Sequence, residues 1–309
     1  MLANRHPRLH RARVFPSGDL VVASLRCSKP APKEDAIENP PMGSSDVTNS
    51  HRIKQDRVRK GLSGITTYAK RMLRSGAAIL SKTVPRKLTT FATVTSPAMT
   101  EEENAIVNGN WSELVRQLVQ HITRDLVRAG IDPKITYAVE VQEKRYYDTG
   151  IVGLHLHLAF QGRKSLSSGY AIGTARIDLI WKRLLENLLG RPVDIKAANK
   201  LETPRKDLGK EIGKYISKGG KVVHDIVRAG LEHLLPSSWW GMETTLKKQV
   251  LASIIVLEGE AATYIWDNID ALPVKYKAIQ LSEKYQSMLV AKVGWITDKS
   301  FIDQLSLLT

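Results

Sequence analysis

Apolar and polar positions alternate along some stretches of this chain and recur every three to four residues along others. Residues 88–95 (Leu-Thr-Thr-Phe-Ala-Thr-Val-Thr) and 135–142 (Ile-Thr-Tyr-Ala-Val-Glu-Val-Gln) show the two-residue period of strands, whose successive side chains leave opposite faces. Residues 152–160 (Val-Gly-Leu-His-Leu-His-Leu-Ala-Phe) form a third strand, apolar apart from two histidines. Residues 112–129 predict an amphipathic helix: Trp111, Leu114, Val115, Leu118, Ile122, Leu126 and Val127 share a stripe, Gly130 closes it and Pro133 follows. A second striped helix spans 177–189, with Trp181, Leu184, Leu185 and Leu188. Helices are also predicted over 64–80 and 207–218, and a further strand over 192–196. The stretch 143–150 reads as a polar hairpin connection.

The order β-α-β-β-α-β-α predicts an α+β fold, a ferredoxin-like or RRM-like antiparallel sheet with helices on one face. Trp239 and Trp240 are expected to pack over the sheet edge. Residues 1–60 mix Arg-rich clusters with Pro-rich and Ser/Asn-rich stretches and read as a disordered basic arm, with a short strand near 14–25 as the alternative. Residues 243–309 read as a helical accessory region. The expected division is an arm (1–60), a core domain (61–242) and that tail.

Charge changes the picture. The 309 residues carry 46 Lys and Arg against 31 Asp and Glu, a net +15, which points to a polyanionic partner, nucleic acid before an anionic membrane. The excess sits early: residues 1–90 hold 18 cations against 6 acids, so deleting 1–60 is expected to weaken nucleic-acid binding. On the 64–80 helix, Lys70, Arg71 and Arg74 form a basic face that either contacts a phosphate backbone or is merely solvated. A single cysteine, Cys27, excludes a disulfide framework and a Cys-based zinc site. With no long apolar run and no signal-peptide pattern, the expectation is a cytoplasmic protein without a membrane partner.

His155 and His157 are the candidate chemistry. Two apart on a strand, both imidazoles leave the same face, where neutral nitrogens can ligate a divalent metal; the alternative is a histidine pair on a sheet surface. Glu140 on the preceding strand can share that face, with Gln142 and Glu143 as substitutes. A histidine-triad hydrolase would need a third His where this chain has Ala159. A cupin site would need a Glu near Gln161, Gly162 and Arg163.

Three short motifs, Phe91-Ala92-Thr93-Val94-Thr95, His155-Leu156-His157 and Tyr215-Ile216-Ser217-Lys218, resemble those of rolling-circle replication initiators of the HUH endonuclease superfamily, as in small plasmids and single-stranded-DNA phages. The resemblance spans residues 66–242. It implies that His155, His157 and Glu140 hold one Mg²⁺ or Mn²⁺, and that Tyr215 attacks a phosphodiester of origin single-stranded DNA, leaving a 5′-phosphotyrosine and a free 3′-OH. It further implies that Lys218, with Lys214 beside it as the alternative, assists and that host replication proteins are partners; Lys214, Arg71 and Arg74 are the candidate DNA contacts. Glu140 and His155 lie farther apart than is usual in that family, so the hairpin carries an insertion. Relaxases and transposases of the same superfamily, or a non-catalytic nucleic-acid-binding sheet, are the rival readings.

Overall fold

A computed structural model of the chain describes residues 9–25, 65–97, 99–195, 199–204, 208, 211–212, 215, 220–280 and 290–307. Its strands are β1 (Leu9–Val14), β2 (Asp19–Leu25), β3 (Thr89–Thr95), β4 (Ile135–Val141), β5 (Leu154–Gln161), β6 (Lys200–Glu202), β7 (Trp240–Met242), β8 (Ile255–Glu258), β9 (Val274–Gln280) and β10 (Val290–Ile296). Its helices are α1 (Thr67–Thr83), α2 (Glu101–Gly109), α3 (Trp111–Arg128), α4 (Glu143–Thr149), α5 (Thr174–Leu189), α6 (Gly220–Arg228), α7 (Thr244–Ala252), α8 (Gly259–Asn268) and α9 (Lys299–Ser306). The chain divides into two compact units, residues 45–250 and residues 1–44 with 251–309.

The larger unit is built on an antiparallel sheet of order β6-β3-β5-β4-β7. One face buries Leu154, Leu156, Leu158 and Phe160 of β5 against Trp111, Leu118 and Ile122 of α3 and Trp181 and Leu185 of α5. Trp111 and Trp181 meet edge to face at 5.4 Å. The stripe on α3 is as expected except at Val127, which is 58% exposed because it sits one residue, or 100° of helix, beyond the buried Leu126.

Helices cover both faces of this sheet rather than one. On the histidine side, Phe91, Ala138 and Ala159 are buried with Leu73, Ala77 and Leu80 of α1 and with Leu208 and Ile212, which are helical. These three sheet positions are apolar, and only a second layer keeps them dry. A Cβ at Gly76 would lie 2.8 Å from the Met242 side chain, so the glycine lets α1 approach β7.

Two further expectations are corrected. Residues 143–149 fold into α4, not a hairpin turn; the helix ends at Gly150, whose φ of 74° is the left-handed cap that glycine tolerates. Residues 192–195 form no strand. Pro192 has no N–H for a ladder, and Val193 donates its own to Glu186 Oε1. The strand pairing with β3 comes later, at β6. Trp239 is buried and Trp240 opens the edge strand β7, in keeping with the edge position expected for both.

Arg176 pins α5 to α3, donating from Nε to Asp125 Oδ2 at 2.7 Å and from Nη2 to Oδ1 at 3.3 Å. These bonds hold the Asp125 carboxyl below its usual range. A depressed folded pKa means stability present above the unfolded pKa and lost as pH falls through the folded one. With Arg176 partly exposed, Asp125→Asn is expected to cost about 1 kcal/mol at neutral pH. Urea titrations of wild type and variant should converge on acidification below the ordinary Asp range.

The smaller unit is a second antiparallel sheet, order β8-β1-β2-β10-β9. Ala12, Val14, Leu20, Val22 and Leu257 pack with Ala262 and Ile265 of α8 and Leu305 of α9. Residues 9–25 are therefore two inner strands, not arm, and 243–309 contains three strands rather than helices alone. Arg11 and Arg13 look like part of a basic tail in sequence, yet they are the outward positions of β1, and Ala12 and Val14 are its buried face. Gly18, at φ 84°, turns the hairpin.

The deletion of residues 1–60, expected to weaken nucleic-acid binding, would thus also remove the middle of a sheet. Truncation of residues 1–25 is expected to abolish hydrogen-exchange protection over 255–280 and 290–296, because among the described residues β8 pairs only with β1. Protection over 89–161 should persist. Among the described residues no helix is long and apolar enough to cross a membrane.

Candidate metal centre

The histidine strand β5 lies between β3 and β4, so both neighbours present residues beside it. The register pairs Glu140 with His155 and Ala138 with His157 on one side, and Thr95 with His155 and Thr93 with His157 on the other. Directly opposed residues share a face, which brings Glu140, His155, His157 and Thr93 together. One ligand atom from each of Glu140, His155 and His157 lies within 4.8 Å of the other two. This is a possible metal-binding triad, two imidazoles and one carboxylate. The distance in sequence between Glu140 and His155 is taken up by α4, which leaves the strand pairing intact.

His157 is the inner member, its side chain 4% exposed against 13% for Glu140. His157 Nε2 lies 2.8 Å from Glu140 Oε2, and Nδ1 lies 3.2 Å from Thr93 Oγ1. A metal on Nε2 requires the ring proton on Nδ1, and there the Thr93 hydroxyl oxygen can accept it. A ligating histidine is ordinarily oriented in this way by a hydrogen bond to its other nitrogen. The donor set and its support therefore fit a divalent cation.

Tyr215 lies against the same group. Its ring stacks on His157 with centroids 3.7 Å apart and planes at 26°, and Phe91 stacks near both, at 5.8 Å from His157 and 5.4 Å from Tyr215. Tyr215 and the triad line an open cleft of about 830 Å³, together with Gln142, Glu143, Lys144 and Arg145 among others. His157 is consequently a packing residue as well as a ligand candidate.

The remaining candidates divide. Gln142 donates from Nε2 to the Leu154 carbonyl and from its backbone to that of Gly153, so it closes the β4–β5 pairing and is not in the triad. Glu143 is exposed on α4 at the cleft margin. Arg71 and Arg74 lie half-buried on α1, and neither lines the cleft. Lys214 and Lys218 lie outside the described residues. Of the tyrosines on α4, Tyr146 packs against the main core, and Tyr147 donates its hydroxyl to Asp225 Oδ2 at 2.7 Å, which pushes its phenol up to about 12. Tyr147 is thereby a poor nucleophile.

Three site residues had no role assigned from sequence. Thr93 and Phe91 belong to a recognised strand, but which residue opposes His157 depends on register, which alternation alone leaves open. Arg145 has no sequence signal at all, since it comes from a segment that reads as a turn.

No family model matches the chain, and neither does any curated protein or solved structure.

Proposed function

We propose that the chain is a metal-dependent, single-tyrosine endonuclease that nicks single-stranded DNA, acting as a rolling-circle replication initiator with an HUH-type core. The observation that carries this reading is the stacking of Tyr215 on His157 inside the cleft of the triad. It puts a phenol beside the residues that would hold Mg²⁺ or Mn²⁺. The strand order β6-β3-β5-β4 supports the core assignment: the first core strand lies between the fourth and third, as in a ferredoxin-like sheet.

In this reading Glu140, His155 and His157 hold the cation. When bound, it would offset charge on the non-bridging oxygens of the scissile phosphate. Tyr215 supplies the nucleophile. Its oxygen forms a bond to phosphorus as the bond from phosphorus to the 3′ oxygen breaks. The phenol loses one proton and the 3′ oxygen gains one, so the exchange balances without a co-reactant. Covalent capture keeps the phosphodiester available for rejoining. Thr93, by holding His157 Nδ1, and Phe91, by stacking beside both rings, position the machinery. Lys218, with Lys214 as the alternative, completes the motif that the resemblance implies.

Charge agrees with a DNA substrate. Residues 45–250 hold 34 of the 46 cations and 20 of the 31 acids, so nearly all of the positive excess belongs to the unit that carries the site. The donor set alone would also suit a non-haem iron centre; the adjacent tyrosine and the basic unit favour phosphoryl chemistry. A non-catalytic sheet that stacks bases needs exposed aromatics. Here Phe91 is 2% exposed, packed with α1 and with Leu208, Ile212 and Tyr215, which disfavours that rival.

The test is incubation of the full chain with single-stranded oligonucleotides from its own replicon plus Mn²⁺. A cut strand and a protein–DNA adduct of slower mobility are expected. Binding without cleavage under any divalent metal would overturn the proposal.

A further inference from the structure

Arg145 of α4 lines the cleft beside the triad and is half-buried. Its Nη1 donates to the carbonyl oxygens of Ser96, at 3.2 Å, and Pro97, at 3.4 Å, just beyond β3. These bonds fix the plane of the guanidinium but bring no negative charge. Among the described residues no carboxylate forms an ion pair with it, and burial alone pushes its pKa down. The acids nearest in sequence, Glu143 and Asp148, share α4 and the cleft margin yet do not pair with it.

A charge withdrawn from water without a counter-ion is costly, and an arginine cannot relieve that cost by deprotonating at ordinary pH. The local backbone nonetheless makes room for it. A Cβ at Gly153 would lie 3.0 Å from both Cδ and Nη1 of Arg145 and 3.0 Å from Gln142 Cδ, so the glycine at the head of β5 lets the side chain lie across the strand. A fork of donors, oriented by carbonyls and lacking an anion, is suited to phosphate, which guanidinium groups bind through paired hydrogen bonds.

We propose that Arg145 anchors a phosphate-binding subsite in this cleft, holding a phosphate of the bound strand next to the triad. The ligand chemistry, a phosphate anion, stands on the geometry of Arg145; that it comes from a DNA strand rests on the endonuclease reading. The subsite belongs to the inserted helix and is separate from the three motifs that prompted that reading. Arg145 is thus a binding and positioning residue, with no part in bond making.

The experiment uses the full chain in EDTA, so that no step depends on a metal. Binding of a fluorescent single-stranded oligonucleotide is followed across a KCl series, and binding of inorganic phosphate is followed by calorimetry. Arg145→Gln is expected to weaken oligonucleotide binding about tenfold. It should also make the slope of log K against log salt shallower by about 0.7, the value for one phosphate contact on a single strand. Arg145→Lys should keep the slope and recover part of the affinity. Arg145→Met, which keeps the aliphatic stem and removes only the guanidinium, should show the same loss even if Arg145→Gln proves unstable. Unchanged slope and affinity in Arg145→Gln and Arg145→Met would overturn the subsite and leave Arg145 as a tie between α4 and the end of β3. Arg145-dependent binding of inorganic phosphate by a protein that binds no oligonucleotide would keep the subsite and sink the endonuclease reading instead.

Discussion

Tyr215→Phe is expected to eliminate the covalent adduct and lower nicking by on the order of 10⁴-fold or more, the usual scale for loss of a nucleophile. The substitution removes one oxygen and keeps the ring, so the stacks on His157 and Phe91 persist. The triad is untouched, and metal binding and oligonucleotide affinity should stay within about twofold of wild type, in line with a group that acts only in the chemical step. Tyr147→Phe is the matched control. It breaks the bond to Asp225 and should leave stability nearly unchanged, because that pair is exposed. It should leave the adduct intact. Proteolysis of wild-type adduct and mass spectrometry of the nucleotide-bearing peptide decide the assignment: a peptide containing Tyr215 supports it, and nucleotide on Tyr146 or Tyr147 would sink it.

The residues that make this test possible were legible to different degrees. Alternation in 88–95, 135–142 and 152–160 located the three central strands, because each buries one face against α3 and α5 and leaves a recognisable period. His155, His157 and Glu140 were legible for the same reason: a polar side chain interrupting a buried strand is conspicuous. Arg11 and Arg13 misled, since a short strand with basic outward positions has the composition of a basic tail, and its outer partner β8 lies more than 200 residues away in sequence. No local signal reports such a pairing. The 143–149 segment misled in the opposite sense. Its polar residues suit a turn as well as a one-face helix, and only the capping Gly150 hints at the latter. The second layer of helices on the histidine face follows from Phe91, Ala138 and Ala159, but those residues are as compatible with a half-open sheet until α1 is placed over them.

That second layer separates the two histidines, whose alanine variants sequence alone would treat as equivalent. Both are expected to lose metal-dependent cleavage, yet only His155→Ala should leave stability nearly unchanged, within about 0.5 kcal/mol for a partly exposed site. His157→Ala opens a gap between Phe91 and Tyr215 and strips the Glu140 carboxylate, itself largely buried, of its 2.8 Å partner. A cost of about 2–4 kcal/mol is expected from the cavity and the lost hydrogen bond together. Glu140→Gln, which preserves shape and a hydrogen bond to His157, should cost less than His157→Ala while binding metal no better. Thermal melts with and without Mn²⁺ separate the two effects. A cation bound only by the folded state raises the melting temperature of wild type by an amount that grows with the logarithm of its concentration over Kd. That rise should vanish in all three variants, whereas the metal-free melting temperature should fall steeply only in His157→Ala. A Mn²⁺-dependent rise that survives in His155→Ala would remove His155 from the ligand set. Its survival in Glu140→Gln would move the third ligand elsewhere, with Glu143 at the cleft margin the next to substitute.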